Sequence, residues 1–143
     1  MASDITIKNK DDQTIAMVEI KNSQNLSKEI ADNFRKNLIS NGLVSHTPYF
    51  LILSQDKGFL WNQKSEETKN IYEFSVKKIL EKYLPISNSK DRLKGIQLEF
   101  LIFQWLNDLA LKHKENIPEI NTPLTSSGFI NDIQDANILM NDH

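Results

Sequence analysis

Two acidic residues and a lysine near the start of the chain have the types and spacing to hold a divalent cation: Asp4, Glu19 and Lys21. If the chain between them folds back as a β-hairpin, Asp4 and Glu19 lie opposite each other, with β-carbons roughly 4.5–5.5 Å apart. Like charges so placed need a compensating charge, and carboxylate oxygens suit Mg²⁺, which fills its other positions with water and substrate phosphate. The pattern therefore indicates a site for Mg²⁺, or Mn²⁺ in its place, with a lysine that can orient water or stabilise charge on a phosphate.

A β-hairpin is predicted because two runs of alternating apolar and polar residues flank the polar cluster 9–12. Centring the turn on Asp11 and Asp12 sets Asp4 opposite Glu19. Side chains alternate between the two faces of a strand. The predicted buried face comprises Ile5, Ile7, Val18 and Ile20, and the other face comprises Asp4, Thr6, Met17, Glu19 and Lys21.

Asp4 followed by Glu19-Ile20-Lys21 at the end of an apolar strand resembles the D…(D/E)-x-K signature of the PD-(D/E)xK nuclease superfamily. The resemblance covers residues 3–61 and implies the restriction-endonuclease-like fold, in which a helix and another core strand follow the hairpin. It implies a Mg²⁺-dependent endonuclease or phosphodiesterase that acts on DNA. In that family the acidic residues bind the metal, here Asp4 and Glu19 with the backbone carbonyl of Ile20, and the lysine, here Lys21, assists hydrolysis.

Departures from the family pattern leave a second function open. Ser3 stands where the family has Pro, and the chain begins close to Asp4, whereas family members usually have a helix before the first strand. A strand at an unanchored terminus also frays, which predicts a loosely held Asp4. The alternative is a nuclease-like domain without activity that serves as a binding or assembly module.

The Glu-x-Lys motif is short, and the chain contains a second copy, Glu67-Thr68-Lys69, in the polar stretch 62–70 with no strand pattern. A purely structural interpretation of the first copy is a solvated hairpin face whose acids pair with lysines. The first copy differs from the second in its hydrophobic alternation, in the upstream Asp4 and in the capped helix that follows.

That helix is predicted to begin after the N-cap Ser27 and to end at Asn41-Gly42. Its basic residues form either a phosphate-facing stripe or a solvated face: Lys28, Arg35 and Lys36. The unbroken apolar run 49–53 predicts a strand buried on both faces, reached by a crossover and parallel to the strand that contains Glu19. A short further strand is predicted over 58–61.

The second half of the chain is predicted to be mostly helical. Ser75 caps a helix that ends before Pro85, and residues 91–114 form the longest helix. Between 98 and 106 this helix is apolar on nearly every side, so that one side could serve the core and the other a subunit interface, which makes a homodimer a candidate assembly. A connecting loop over 117–127 and a last helix over 128–140 complete the prediction.

Composition excludes several classes of site. A net charge of −2 does not favour a generally basic nucleic-acid binder, so DNA contact would need a local groove. The absence of cysteine excludes disulfides and thiolate metal sites, and the histidines are dispersed, which disfavours a zinc site. No segment resembles a signal peptide or a membrane span, so a cytoplasmic location and no membrane partner are expected.

A length of 143 residues favours one domain over 1–143, in which 1–61 holds the nuclease-like sheet and first helix, and 62–143 supplies a mostly helical completion of the core or an oligomer interface. The expected fold class is α/β and restriction-endonuclease-like, with a small mixed sheet that opens with a β-hairpin and is flanked by helices.

Overall fold

The chain folds into a six-stranded mixed sheet with helices on both faces, in a computed structural model that describes residues 4–22, 25–42, 47–64, 71–83, 95–111 and 122–141. The strands are β1 Ile5–Lys8, β2 Thr14–Ile20, β3 Tyr49–Leu53, β4 Lys57–Asn62, β5 Ile71–Ser75 and β6 Asn137–Met140. The helices are α1 Lys28–Ser40, α2 Val76–Leu80, α3 Gly95–Leu111, α4 Thr122–Ser126 and α5 Phe129–Asp132. Across the sheet the strands follow the order β5-β4-β3-β2-β1-β6. The mixed α/β class and the opening hairpin are confirmed.

The hairpin has the register that hydrophobic alternation predicts. β1 and β2 are antiparallel, with Ile5 opposite Val18. In the turn, the side-chain oxygen of Asn9 accepts hydrogen bonds from two backbone N–H groups, each at 2.9 Å. Asp12 adopts a φ of 63°, a left-handed conformation that Asp tolerates better than most residues. The register shifts between Ile7 and Lys8, so that Lys8 lies opposite Thr14 beside the turn. From Ile5 to Ile7 the predicted register holds, and it fixes which side chains share a face.

A helical crossover joins β2 to its neighbour β3. The Ser27 hydroxyl accepts the N–H of Ile30 at 3.2 Å and so caps α1, as predicted. Gly42 follows the C-cap with a φ of 67°, a conformation that favours glycine. β3 then pairs in parallel with β2, with Glu19 opposite Ile52. The predicted helix boundaries and the parallel neighbour of the Glu19 strand are confirmed.

The sheet separates two apolar clusters. The large core packs one face of the sheet against α2, α3, α4 and α5, and its strand residues include Ile5, Ile7, Val18, Leu51, Leu53 and Leu60. The small core lies under α1 and consists of Leu26, Ala31, Phe50, Ile52, Phe59 and Trp61. All of β3 is buried because its side chains enter both cores. Because Glu19 alternates with Val18 along β2, its side chain lies on the face of the small core.

The predicted helix over 128–140 is wrong. α5 covers only Phe129–Asp132, and the chain then turns at Asp135, where φ is 62°. It continues as β6, which pairs with the outer edge of β1 in antiparallel register. The helical periodicity of this segment is weak. As a strand, the segment satisfies the N–H and C=O groups on the outer edge of β1, which would stay unpaired if the segment formed a helix.

Two further elements differ from the expectation. β5 forms the other edge of the sheet by pairing with β4, and it ends at Ser75, which is also the N-cap of α2. The loop predicted over 117–127 contains the short helix α4. Residues 62–143 therefore supply one strand at each edge of the sheet as well as the helices that cover the large core.

α3 is the longest helix and has one buried side and one partly exposed side. Its buried residues are Leu98, Ile102, Trp105, Leu106, Leu109 and Ala110. Ile96 and Phe100 are 63% and 57% exposed. The homodimer suggested by this helix stays a prediction. In the described part of the chain, no helix is long and apolar enough to cross a membrane.

Several sequence features lie outside the described residues. They are the second Glu-x-Lys copy at 67–69, the histidines, and the predicted helix ends at 84, 91–94 and 112–114.

Candidate metal site

The predicted site residues occupy neighbouring backbone positions at one end of the hairpin. Asp4 immediately precedes β1, Glu19 is the penultimate residue of β2, and Lys21 follows the last one. Since Ile5 lies opposite Val18, the next positions along the same antiparallel ladder are Asp4 and Glu19. All three side chains are half-buried, so they lie at the surface without projecting fully into solvent.

Asp4 is held by the strands on both sides of it. Its Oδ2 accepts the backbone N–H of Ile20 at 2.7 Å. Its backbone carbonyl accepts the N–H of Asn141 at 3.0 Å, and the side-chain amide of Asn141 donates to the Thr6 hydroxyl at 2.8 Å. The strand end at Asp4 is therefore anchored, contrary to the premise of the predicted fraying. The sequence-based prediction missed this anchor because Asn141 directly follows β6, a strand that was expected to be helix.

The donor atoms at this end of the hairpin suit a hard cation. A carboxylate has about four lone-pair sites, so Asp4 can accept one N–H and still offer oxygen to a metal. A strand residue presents its N–H and its carbonyl to the same neighbouring strand. The carbonyl of Ile20 therefore faces the Asp4 side, as the N–H does. Two carboxylates and one carbonyl form an all-oxygen donor set, which fits Mg²⁺ better than Zn²⁺.

The site contains few acidic side chains. Among the residues that the structure describes, no group of three or more His, Cys, Asp or Glu side chains is arranged to hold a metal ion. Mg²⁺ does not need such a group, because it usually retains several waters and binds one or two carboxylates together with substrate phosphate. A site of this kind therefore depends on the substrate to complete the coordination of the cation.

Lys21 is fixed at its backbone and at its ammonium. Its N–H donates to the carbonyl of Leu53 at 2.7 Å, which extends the β2–β3 pairing by one residue. Its Nζ lies 3.9 Å from the centroid of the Phe34 ring on α1. The contact is a cation–π interaction, which attracts the ammonium to the ring without pairing it with a negative charge.

The basic residues of α1 do not act as one stripe. Arg35 donates through Nε to the side-chain carbonyl of Gln63 at 3.0 Å, and its guanidinium lies 5.5 Å from the Trp61 ring. Burial lowers the pKa of Arg35, and the charge of Asp32 opposes that shift. Lys36 pairs with Asp32 at 3.0 Å. The solvated-face interpretation fits Lys36, and Arg35 joins the helix to the sheet.

A second polar cluster was not found from the sequence. The buried Tyr49 hydroxyl donates to Oδ2 of Asp132 at 2.6 Å, and Lys64 donates to the same carboxylate. Burial raises the pKa of Tyr49, and the hydrogen bond to Asp132 raises it further. Burial alone would raise the pKa of Asp132, but the hydrogen bonds from Lys64 and Tyr49 lower it below its usual value.

This second cluster connects distant parts of the chain. Tyr49 and Asp132 are separated by 83 positions, and Asn62 donates to the backbone carbonyl of Ser127 beside them at 2.9 Å. The cluster therefore fastens α5 to β3 and β4. Local sequence patterns do not predict such contacts, since each partner comes from a different element.

No family model matches this chain, and comparisons with curated proteins and with solved structures gave no match.

Proposed function

We propose that this domain is a metal-dependent phosphodiesterase that acts on DNA. In this proposal Asp4 and Glu19 hold Mg²⁺ with the backbone carbonyl of Ile20, and Lys21 assists hydrolysis. The observation that supports the proposal most strongly is the hairpin register, which brings Asp4 to the position opposite Glu19 at the end of β2. The helical crossover to a parallel β3 supports it further, since the resembling nuclease fold continues in the same order.

Each residue has a role that follows from its contacts. The N–H of Ile20 orients the Asp4 carboxylate, so that its remaining lone pairs stay at the end of the hairpin. Lys21 brings a positive charge to the same end of β2, where it can stabilise charge that develops on a phosphate or orient the attacking water. A divalent cation, when bound, supplies Lewis acidity and a water of lowered pKa.

The substrate class has two sources of support. The donor set and the lysine are suited to a phosphodiester, because a divalent cation held by oxygen ligands and an ammonium both attract phosphate oxygens. DNA in particular is what the resemblance to PD-(D/E)xK nucleases implies. RNA of the same sequence is therefore the informative comparison substrate.

An inactive binding or assembly module is the second candidate, and specific contacts favour it. Asp4 Oδ2 already accepts a backbone N–H, and the Lys21 ammonium already lies on a ring. Both groups could thus be purely structural. The exposed Ile96 and Phe100 side chains of α3 would then contribute to a contact with another protein.

Cleavage assays distinguish these candidates. Single-stranded DNA, double-stranded DNA and RNA would be incubated with wild type in Mg²⁺, Mn²⁺ or EDTA. We expect metal-dependent cutting of DNA that falls by about 10²-fold or more in Glu19→Gln and in Lys21→Ala, as when a single charge-stabilising group is removed from an active site.

Matched controls come from the β5 edge of the sheet, where Lys57 on β4 and Glu73 on β5 form a surface ion pair at 3.8 Å. Glu73→Gln and Lys57→Ala remove the same charges and should leave cutting unchanged. Cutting that survives Glu19→Gln and Lys21→Ala would assign the activity to a contaminant. No cutting, with no rise in melting temperature on addition of metal, would favour the assembly module.

A further inference from the structure

The side chain of Lys21 is restrained at both ends. Pairing of its N–H with Leu53 fixes the backbone, and the Phe34 ring contacts the ammonium with Nζ 3.9 Å from the ring centroid. A lysine ammonium sits on a flexible four-carbon stem and would otherwise sample many positions. The Phe34 ring therefore restricts the Lys21 ammonium to one region at the end of β2.

Packing on α1 restrains Phe34, whose ring contacts the Lys21 ammonium. Phe34 belongs to α1 and packs, with Leu38 one turn later, against the small core. Ala31 on the same helix is fully buried, and both ends of the helix are capped. Displacement of the Phe34 backbone relative to β2 would require α1 to leave the sheet, so the ring that contacts the lysine is carried by a packed helix and not by a loop.

An aromatic support suits a lysine that acts on phosphate. The ring face attracts the ammonium through its quadrupole and carries no net charge. A carboxylate at the same place would hold the lysine as well but would cancel its charge. A cation held by Phe34 can therefore still attract phosphate oxygens.

We infer that Phe34 is a positioning residue for Lys21, an inference that rests on the proposed function. Phe34 keeps the ammonium at the end of β2 in the orientation that serves the chemical step. Its contribution appears in kcat and not in KM, because it acts on the placement of a reacting group and contacts no substrate.

Two substitutions test the role of the ring. Phe34→Leu keeps an apolar side chain in the small core and removes the ring, and it should lower kcat between about twofold and thirtyfold, the range that corresponds to cation–π contacts of ordinary strength. Phe34→Tyr keeps a ring and should restore wild-type kcat. Leu38→Met, a volume-conserving change in the same helix and core, controls for general loosening and should have no effect on kcat.

A second readout does not depend on cleavage. A proton over the face of an aromatic ring shifts upfield in an NMR spectrum, so the ε-methylene protons of Lys21 should be upfield of those of the other lysines in protein without metal or DNA. Lys21→Ala assigns the signal by removing it. The shift should disappear in Phe34→Leu and persist in Phe34→Tyr and Leu38→Met.

The outcomes separate this inference from the function on which it rests. An upfield shift together with a kcat lowered only in Phe34→Leu supports it. An active wild type that lacks the shift, or that keeps its kcat in folded Phe34→Leu, overturns the inference and leaves the proposed function intact. A wild type that shows the shift but cuts no nucleic acid under any metal condition overturns both, and the contact is then structural.

Discussion

Two clusters of this molecule combine a lysine, a carboxylate and an aromatic ring, and they use them differently. In the cluster of Tyr49, Lys64 and Asp132, the lysine and the tyrosine both donate to the carboxylate. At the end of the hairpin, Lys21 lies on the ring of Phe34, and Asp4 accepts a backbone N–H. We call these the Tyr49 cluster and the hairpin site.

The contrast shows how the same groups can serve folding or chemistry. Mutual hydrogen bonds in the Tyr49 cluster satisfy its polar atoms and set opposite charges against each other, which suits a structural connection between elements. In the hairpin site, the Ile20 N–H and the Phe34 ring, which hold Asp4 and Lys21, are themselves uncharged. The first arrangement connects elements of the fold, and we propose that the second positions charged groups for a ligand.

The largest expected difference between the Tyr49 cluster and the hairpin site appears when one carboxylate is removed at each place. Glu19→Gln should lower the rate of metal-dependent DNA cleavage by about 10²-fold or more, because a charge that stabilises the reacting groups is lost. Asp132→Asn should leave the rate unchanged in protein that remains folded. The measurement is kcat on a DNA oligonucleotide in Mg²⁺. Equal losses in both variants would mean that the clusters do not differ in function.

Substitution in the Tyr49 cluster should affect stability and not cleavage. Asp132→Ala removes the acceptor of the buried Tyr49 hydroxyl and should lower the free energy of unfolding by about 1–3 kcal/mol, the cost of an unsatisfied buried polar group. The double variant Tyr49→Phe, Asp132→Ala should lose less than Asp132→Ala, since it leaves no hydroxyl to satisfy. Urea unfolding of Asp132→Ala, Tyr49→Phe and the double variant tests this expectation. A double variant as unstable as the sum of the two single variants would contradict the structural role of the cluster.

Alkaline pH should weaken the fold through its buried tyrosines. The pKa of Tyr49 is raised by burial and by Asp132, so the folded state binds its proton more tightly than the unfolded state does. This contribution to stability is complete below the unfolded pKa of about 10 and is lost as pH rises above it. Urea unfolding from pH 8 to pH 11 should show the decline in wild type.

Tyr49→Phe should make that decline shallower, since the variant has one fewer group that gains a proton on folding. Tyr83, whose pKa is also raised by burial and by its hydrogen bond to Asp108, should account for part of the remaining slope. An unchanged slope in Tyr49→Phe would show that Tyr49 does not couple to folding.

The smallest expected effect on stability is that of replacing Asp4. Asp4→Asn keeps a side-chain oxygen that can accept the N–H of Ile20, so it should change the free energy of unfolding by less than about 1 kcal/mol. The same change should abolish any rise in melting temperature caused by Mg²⁺, because it removes a charged ligand. Thermal melts with and without metal test both expectations. A large destabilisation without metal would identify Asp4 as a structural residue.

The parts of the fold that were predicted correctly depend on neighbours in sequence. Alternation around the turn near Asp12 fixed the register of β1 and β2, and Ser27 and Gly42 marked the ends of α1. The unbroken run of β3 indicated burial on both faces. Each of these signals is local, so the sequence carries it without reference to distant residues.

The parts that were missed depend on distant partners. β6 forms because β1 offers an open edge, and that edge is far from it in sequence. The anchoring of Asp4 by Asn141 and the link between Tyr49 and Asp132 follow from the same long-range pairing. The contact of Lys21 with Phe34 was not predicted either, although both residues lie on elements that were.

The most direct test of the hairpin site as a metal site is a titration of ¹⁵N-labelled protein with Mn²⁺, followed by paramagnetic broadening of backbone amide signals. The amides of Ile5, Ile20 and Lys21 should broaden first, because they surround the carboxylates of Asp4 and Glu19. Addition of Mg²⁺ should reverse the effect, and Glu19→Gln should weaken it. Broadening that begins at the Asp11–Asp12 turn or around Asp132 would contradict the assignment and place the metal elsewhere.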